Sequence, residues 1–259
     1  MYKFLKFEEK EGVATMTLNR PEVYNAFNDA LTFEMQAVLK AVKEEKTARV
    51  LVITGEGKAF SSGQDLKDAA MHADRSYSES VRTRFNPIVI AIRNLPIPVI
   101  CRLNGVAAGA GCSLALSCDM IVASQEASLI EIFVNIGLIL DAGSSYFLPR
   151  LLGSSKAFEI ATMGKIITAQ QATDLGIVAK TVPTNQLDEA VKGYTDFYKS
   201  APTKAIGLIK KMLNMSQHAS LEEVLDKEAE YQDIAGATND HKEGITAFLE
   251  KRAPRFKGN

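Results

Sequence analysis

Asp141 stands in Gly137-Leu-Ile-Leu-Asp141-Ala-Gly-Ser-Ser145, an acid among apolar neighbours. A carboxyl in such company is partly desolvated, which raises its pKa and suits it to general-base work. Two small-residue turns are the second chemical sign. One is Asn104-Gly105-Val-Ala-Ala-Gly109-Ala110-Gly111, leading into the apolar helical run Cys112 to Cys118; the other is Phe60-Ser-Ser-Gly63-Gln64-Asp65-Leu66. Small residues at a helix start let backbone N–H groups approach a ligand without side chains in the way. If the two turns converge, each offers one N–H to a single carbonyl oxygen. That is an oxyanion hole built from backbone, worth several kcal/mol toward an enolate. Plainer readings stay open at this level: close packing for the turns, and a helix N-cap for Asp141.

Other chemistries fit poorly. Gly109-Ala-Gly111-Cys-Ser-Leu114 lacks the third glycine of a dinucleotide fingerprint, and there is no phosphate-cradling Walker sequence. Gly111-Cys-Ser113-Leu-Ala115 superficially resembles a nucleophile elbow. The chain has three histidines, however (His72, His218 and His241), and two of them fall in the helical C-terminal stretch, which speaks against a Ser–His triad. No His/Cys/carboxylate grouping has metal-ligand spacing. Three cysteines, an odd count without paired spacing, argue against a disulfide framework. The net charge of −1 gives nothing that draws the chain to nucleic acid or an anionic membrane. The first residues carry no apolar signal region, and no run approaches the ~18 residues of a membrane span. The expectation is a reduced, soluble, cytoplasmic protein.

The elements that must position these residues follow from periodicity. Tyr2 to Glu8 and Val13 to Asn19 alternate about Gly12 and predict a hairpin. A helix starts at Asn28 or Asp29 and runs to Lys46, with Leu31, Met35, Val38, Leu39 and Val42 on its apolar face. Arg49 to Thr54 and Val99 to Leu103 are nearly continuous apolar strands, as when both faces are covered. Residues 67 to 80 are polar and irregular, a surface segment near the site; Val81 to Asn94 is a helix. After Arg150 the chain is mostly helical: Ser154 to Thr162, a short helix near Thr168, one strand from Ile177 to Val182, and a helix capped by Asn185 running to Lys199. Helices then run from Pro202 to Met215, from the capping box at Ser220 to Ala235, and from Asp240 to Arg252. The pattern is α/β, with a core over 1–200 and a helical region over 201–259. That tail carries Leu208, Ile209, Met212, Leu221, Val224 and Leu225, more apolar surface than a thin appendage buries alone.

Over essentially its whole length the chain resembles the crotonase (enoyl-CoA hydratase/isomerase) superfamily. The resemblance rests on LNRPEVYNAF (Leu18 to Phe27), KAFSSGQDL (Lys58 to Leu66), PVICRLNGVAAGAGCSLALSCD (Pro98 to Asp119), IGLILDAGSSYFLPRLLG (Ile136 to Gly153) and AFLEKRAPRF (Ala247 to Phe256). It implies repeated ββα units wound into a spiral, with a C-terminal helical region that assembles trimers or hexamers. It also implies an acyl-CoA thioester substrate, with coenzyme A as part of the substrate and no separate cofactor or metal. By position, the N–H groups of Gln64 and Ala110 form the oxyanion hole. Tyr24 to Ala26 and Ala59 to Asp65, Ser62 and Gly63 among them, line the CoA groove beside Gly109. Phe248 and Lys251, from this chain or a neighbouring subunit, reach the CoA nucleotide.

Departures from the family pattern narrow the activity. Hydratases of the family carry two glutamates where this chain has Ser113 and Phe133, so the water-activating pair is missing. Asp141 resembles in placement the single acid of Δ3-Δ2-enoyl-CoA isomerases and of ring-epoxyphenylacetyl-CoA isomerases, and the context is closest to the latter. The expectation is an acyl-CoA isomerase, with Asp141 as the one acid/base behind an apolar wall of Phe133, Ile136, Leu138 and Leu140. Two alternatives are a hydratase in which Glu131 or another acid replaces the lost pair, and a catalytically silent acyl-CoA-binding assembly subunit.

Overall fold

A computed structural model describes residues 2–71 and 74–259; His72 lies outside the described residues. Strands β1 (Leu5–Lys10) and β2 (Val13–Leu18) form the anticipated antiparallel hairpin. Its turn is Glu11-Gly12, both at positive φ (53° and 78°), which matches the twist of the strands it joins. The first strand starts three residues later than the alternation predicted and ends two later. Helix α1 (Asp29–Glu45) is capped by Asn28, whose side chain accepts the Leu31 N–H at 2.9 Å.

Three strand pairs then repeat one plan. β3 (Val50–Gly55) and β4 (Ala59–Ser61) are followed by short helices α2 (Leu66–Met71) and α3 (Tyr77–Ser80), a π-helical turn at Val81–Phe85, and α4 (Asn86–Asn94). β5 (Val99–Leu103) and β6 (Val106–Ala108) are followed by α5 (Ala110–Ser117). β7 (Met120–Ser124) and β8 (Ser128–Ile130) lead through a 3-10 turn, Ile132–Ile136, to α6 (Ser144–Leu152) and α7 (Ser154–Met163). The first strand of each pair joins a six-stranded sheet and the second a four-stranded one. β9 (Ile166–Thr168), α8 (Ala169–Asp174) and β10 (Lys180–Val182) complete the sheets, whose orders are β1-β2-β3-β5-β7-β10 and β4-β6-β8-β9. The result is the expected spiral of ββα units. The second sheet, made of three-residue strands, was not anticipated.

The large sheet is covered on both faces. Leu51, Ile53, Val99, Cys101 and Ile121 face the main core with α1, α4 and α5, while Val50, Val52, Ile100 and Val122 face Leu187 and Val191 of α9 (Leu187–Ser200). Gln186, not Asn185, precedes that helix as its N-cap; Asn185 sits inside a 3-10 turn, Thr184–Gln186. Within the segment read as irregular, 67–71 belong to α2 and Tyr77–Ser80 form α3, while 74–76 are non-helical; residues 72 and 73 lie outside the described residues. The π turn has a local cause. Pro87 has no N–H to give, and the Asn86 N–H reaches back to Val81 O, so the helix is wound one residue wide before α4.

The C-terminal stretch is α10 (Thr203–Met215), α11 (Leu221–Gly236) and α12 (Asn239–Leu249). The capping box at Ser220 forms as read. The last helix is capped by Thr238 and stops at Leu249, short of the predicted Arg252. α10 docks on the core: the buried Lys210 ammonium donates to Ile92 O (2.8 Å) and Ile97 O (3.1 Å) and lies 2.6 Å from Asp119. Leu208 packs inward, whereas Ile209, Leu213, Leu221, Leu225, Phe248 and Leu249 are exposed.

Candidate active site

β4, β6 and β8 run parallel and side by side, so their carboxyl ends open in one place. That edge is where open parallel sheets usually bind ligands. Gly63-Gln64 follows β4, Gly109-Ala110 follows β6, and Glu131 follows β8. Each site residue thus leaves the same sheet at the same edge.

The two turns converge. A Cβ added to Gly63 (φ +87°) would lie 2.6 Å from Ala108 O and 3.3 Å from Ala110 N. A Cβ on Gly111 would lie 2.5 Å from Ser61 O. Glycine is required at both points because backbone meets backbone there. Phe27 bridges the first turn in parallel fashion, donating to Gly63 O (2.7 Å) and accepting from the Asp65 N–H (3.0 Å). In that pairing the Gln64 N–H points away from Phe27. Ala110 is the first residue of α5, where an N–H has no partner within its helix. Neither N–H meets an acceptor among the described residues.

The residues expected along the CoA groove are likewise brought together. Ser62 N–H donates to Tyr24 O (2.9 Å), the Ser61 hydroxyl to Asn25 O (2.9 Å), and Asn25 Nδ2 to Ala59 O (2.8 Å). Asn104 Nδ2 donates to the same Ala59 O at 3.1 Å, tying the corner of one repeat to the next. Tyr24 is exposed and Ala26 buried.

Gln64 is clamped from a direction that sequence reasoning missed. Arg84, on the π turn, is 2% exposed; it donates to Gln64 Oε1 (3.0 Å) and Phe27 O (3.3 Å) and pairs with Asp29 (2.9 Å). Arg20 pairs with Asp65 at 3.0 Å. An isolated arginine in an amphipathic run carries no signal of this role, because the π turn aims it. Beside this clamp Gln64, Leu66, Ala69, Tyr77, Ser80 and Arg84 line a cavity of ≈ 430 Å³.

Asp141 follows the Gly137 turn and precedes α6. Burial pushes its carboxyl up to about 6, and Oδ1 is buried without a hydrogen-bond partner among the described residues. Its own backbone oxygen accepts from Ser144 N–H and from the Ser113 hydroxyl, both at 3.1 Å. Ala142, the next residue, lines a small apolar cavity with Phe27, Phe85, Ile88, Ala110 and Leu114. Phe133 is buried and lies against Gly109. Leu138 and Leu140 are half-buried, but Ile136 is exposed and does not complete the expected wall.

Glu131, the residue after β8, is deeply buried. It is 1% exposed, with Oε1 2.7 Å from Ser144 Oγ and Oε2 buried without a partner. Burial pushes its carboxyl up to about 7; Ser144 and the Cys112 thiol pull it back, and Asp141 pushes it further up. Ser144 Oγ also lies 2.8 Å from Ser113 Oγ. Phe248 and Lys251 are not brought to this site within the chain. Phe248 is 83% exposed on another groove, with Pro202, Ala205, Ile245 and Phe256, and Lys251 is exposed beyond α12.

No group of three or more potential metal ligands occurs among the described residues. Among them, too, no helix is long and apolar enough to cross a membrane.

Comparison with known proteins agrees with this geometry. The family model for enoyl-CoA hydratase/isomerase matches residues 8–259. The chain is 38% identical to a 1,2-epoxyphenylacetyl-CoA isomerase of Escherichia coli (strain K12), covering 100% of both chains. It is also 38% identical to a probable enoyl-CoA hydratase of Rhodobacter capsulatus, covering 99% of each. Among solved structures, a putative enoyl-CoA hydratase from Streptomyces coelicolor A3(2) superposes with a TM-score of 0.95 at 30% identity, over 100% of this chain and 96% of that one.

Proposed function

The chain belongs to the enoyl-CoA hydratase/isomerase family, and within it we propose that this protein is an acyl-CoA isomerase that works through a thioester enolate. The thioester oxygen accepts from the Gln64 and Ala110 N–H groups, which sit on touching turns. With two donors on that oxygen, the α-proton becomes removable. For a 3-enoyl-CoA, Asp141 takes the proton from C2, the electrons move into a dienolate, and the same carboxyl returns the proton at C4. The double bond moves from C3–C4 to C2–C3 and the atoms balance. A carboxyl at about 6 is ionised enough at neutral pH to act as base and basic enough to accept a proton.

The observation that carries this reading is the pair Ser113 and Asp141. Ser113 stands where the family's hydratases have one of their glutamates, and it is spent on the Asp141 backbone; Phe133, at the other glutamate position, is packed against Gly109. Of the two buried carboxyls at the site, Glu131 is held by the Ser144 hydroxyl, which leaves Asp141, with an unpartnered buried oxygen, as the free one. Water activation then lacks its acid pair, whereas a proton shuttle needs one acid. The 38% identity to an isomerase of epoxyphenylacetyl-CoA supports ring rearrangement as a second substrate class of the same site. One observation favours a hydratase instead: Glu131 lies a serine away from Ser113.

Trimer or hexamer formation through residues 201–259 belongs to this reading. It is supported by the exposed Ile209, Leu213, Leu221, Leu225 and Leu249, and it is how Phe248 and Lys251 would reach a neighbour's CoA site. The test of function is a panel of 3-enoyl-, 2-enoyl- and cyclic epoxy-acyl-CoA substrates, with products resolved by mass. The expected result is double-bond or ring isomerisation far faster than hydration. Hydration of a 2-enoyl-CoA at the isomerisation rate would overturn it in favour of the hydratase.

A further inference from the structure

Three oxygen–oxygen contacts run in series from Glu131 to the base loop: Glu131 Oε1 to Ser144 Oγ (2.7 Å), Ser144 Oγ to Ser113 Oγ (2.8 Å), and Ser113 Oγ to Asp141 O (3.1 Å). Each contact needs one hydrogen, and the two serines supply two. The Asp141 backbone oxygen cannot donate. The third hydrogen must come from Glu131. If Glu131 is ionised, one link is broken: either two serine oxygens face each other without a proton, or both hydroxyls turn toward Glu131 and the Asp141 carbonyl loses its side-chain donor. In the second case Ser113 also gives up its alternative acceptor, Gly109 O at 3.3 Å.

We propose that Glu131 is a neutral carboxylic acid that donates into the Ser144–Ser113 chain and so holds the Asp141 loop in place, a positioning residue rather than a base. The proposal rests on Asp141 being the acid/base of the isomerase. The surroundings of Glu131 favour the neutral form. It is 1% exposed, and Oε2 has no partner among the described residues. The groups that face it are Ser144 from α6, Cys112 from α5 and the Asp141 carboxyl; none of them is cationic. Burial raises both carboxyls, and the count of hydrogens along the serine chain decides that Glu131 is the one that holds the proton.

Glu131→Gln and Glu131→Ala separate this role from others. A glutamine amide is never ionised and still gives a hydrogen to Ser144. Glu131→Gln should therefore keep kcat on a 3-enoyl-CoA at neutral pH and lose the fall in rate above pH 7 that is expected of the unmodified enzyme. Glu131→Ala removes the donor that turns the Ser144 hydroxyl toward Ser113, so nothing fixes the direction of the remaining two links. It should lose up to about 10²-fold in kcat, the cost of a misplaced reacting group, with KM little changed. Infrared spectra of the unmodified protein at pH 7 should contain a protonated-carboxyl C=O band that Glu131→Gln removes. Loss of activity in Glu131→Gln equal to that in Glu131→Ala would overturn the proposal, as would an unchanged alkaline limb or the absence of that band. The infrared result does not depend on turnover. If Asp141→Asn remains an active isomerase the functional reading fails, and the band still decides the state of Glu131.

Discussion

The two sheets of this protein are built from the same repeats and serve opposite ends. In the six-stranded sheet β3 pairs with β2 and β5 through Leu51, Val52 and Ile53, and every one of its residues is buried. In the four-stranded sheet β4, β6 and β8 have three residues each, and what matters is where they stop: at Gly63-Gln64, at Gly109-Ala110 and at Glu131. The first sheet holds its shape by apolar area, which is non-directional and tolerant of small changes. The second holds its shape by close backbone approach and by side-chain amides, Asn25 and Asn104 on Ala59 O, Arg84 on Gln64. Such contacts fix direction, as an oxyanion hole requires, and they do not absorb added atoms. Substitutions on the large sheet should cost stability, and substitutions at the edge of the small one should cost rate.

Asp141→Asn should produce the largest effect. An amide cannot carry the proton, so turnover on a 3-enoyl-CoA should fall by about 10²–10⁴-fold, the usual contribution of a positioned acid or base. Acyl-CoA affinity by calorimetry should stay near that of the parent. Turnover close to the parent's would remove Asp141 from the chemistry. Gly63→Ala is next. The new methyl meets Ala108 O at 2.6 Å, on backbone at φ +87°, so the two turns must part. Displacing one oxyanion donor should cost about 10²–10³ in kcat, with circular dichroism unchanged. If Gly63→Ala turns over like the parent, the touching turns are packing alone.

The same contrast explains what the sequence made legible. Val50 to Gly55 and Val99 to Leu103 announce themselves as apolar runs, and α1 by its periodicity and its Asn28 cap. Ala59–Ser61, Val106–Ala108 and Ser128–Ile130 are too short and too small-sided to show any period. The placement of Ala59–Ser61 is fixed by Asn25 and Asn104, which both donate to Ala59 O from distant parts of the chain. Asp141 was readable because an acid among apolar residues is conspicuous. Glu131 was undervalued because its burial comes from Ser144 and Cys112, on two other helices. Arg84 was invisible because its aim depends on a π turn. Ser113, Phe133 and the donors Gln64 and Ala110 were assigned by resemblance; the geometry adds that the two turns meet and that Ser113 binds the Asp141 loop.

Glu131→Gln tests the small sheet through stability instead of rate. The folded-state carboxyl sits at about 7, above its ordinary value of 4.5, because it is buried. A group raised in this way contributes stability that is present in full below its unfolded value and lost as the pH rises through its folded one. The window is therefore about pH 4.5 to 7. Across it, ionising Glu131 should cost the parent on the order of 3 kcal/mol, which a neutral glutamine does not lose. Urea unfolding should find Glu131→Gln more stable than the parent at pH 8, with the gap closing toward pH 5. A gap independent of pH would mean that Glu131 is hydrated or paired.

Ile53→Val should produce the smallest effect, and it closes the comparison from the other side. Ile53 is fully buried in β3, opposite Met16 on β2 and Cys101 on β5, in the middle of the large sheet. Removing one methyl leaves β-branching and strand preference intact, so the loss is transfer energy plus a small cavity, about 1 kcal/mol. No donor at the site hangs on that methyl. β3 reaches the small sheet through Gly55 and the turn before β4, where Asn25 and Asn104 fix the corner by hydrogen bonds that the substitution does not touch. The urea midpoint should drop while kcat on a 3-enoyl-CoA stays at the parental value. A fall in kcat comparable to that of Gly63→Ala would show that packing in the large sheet sets the oxyanion geometry directly, and the division of labour between the sheets would fail.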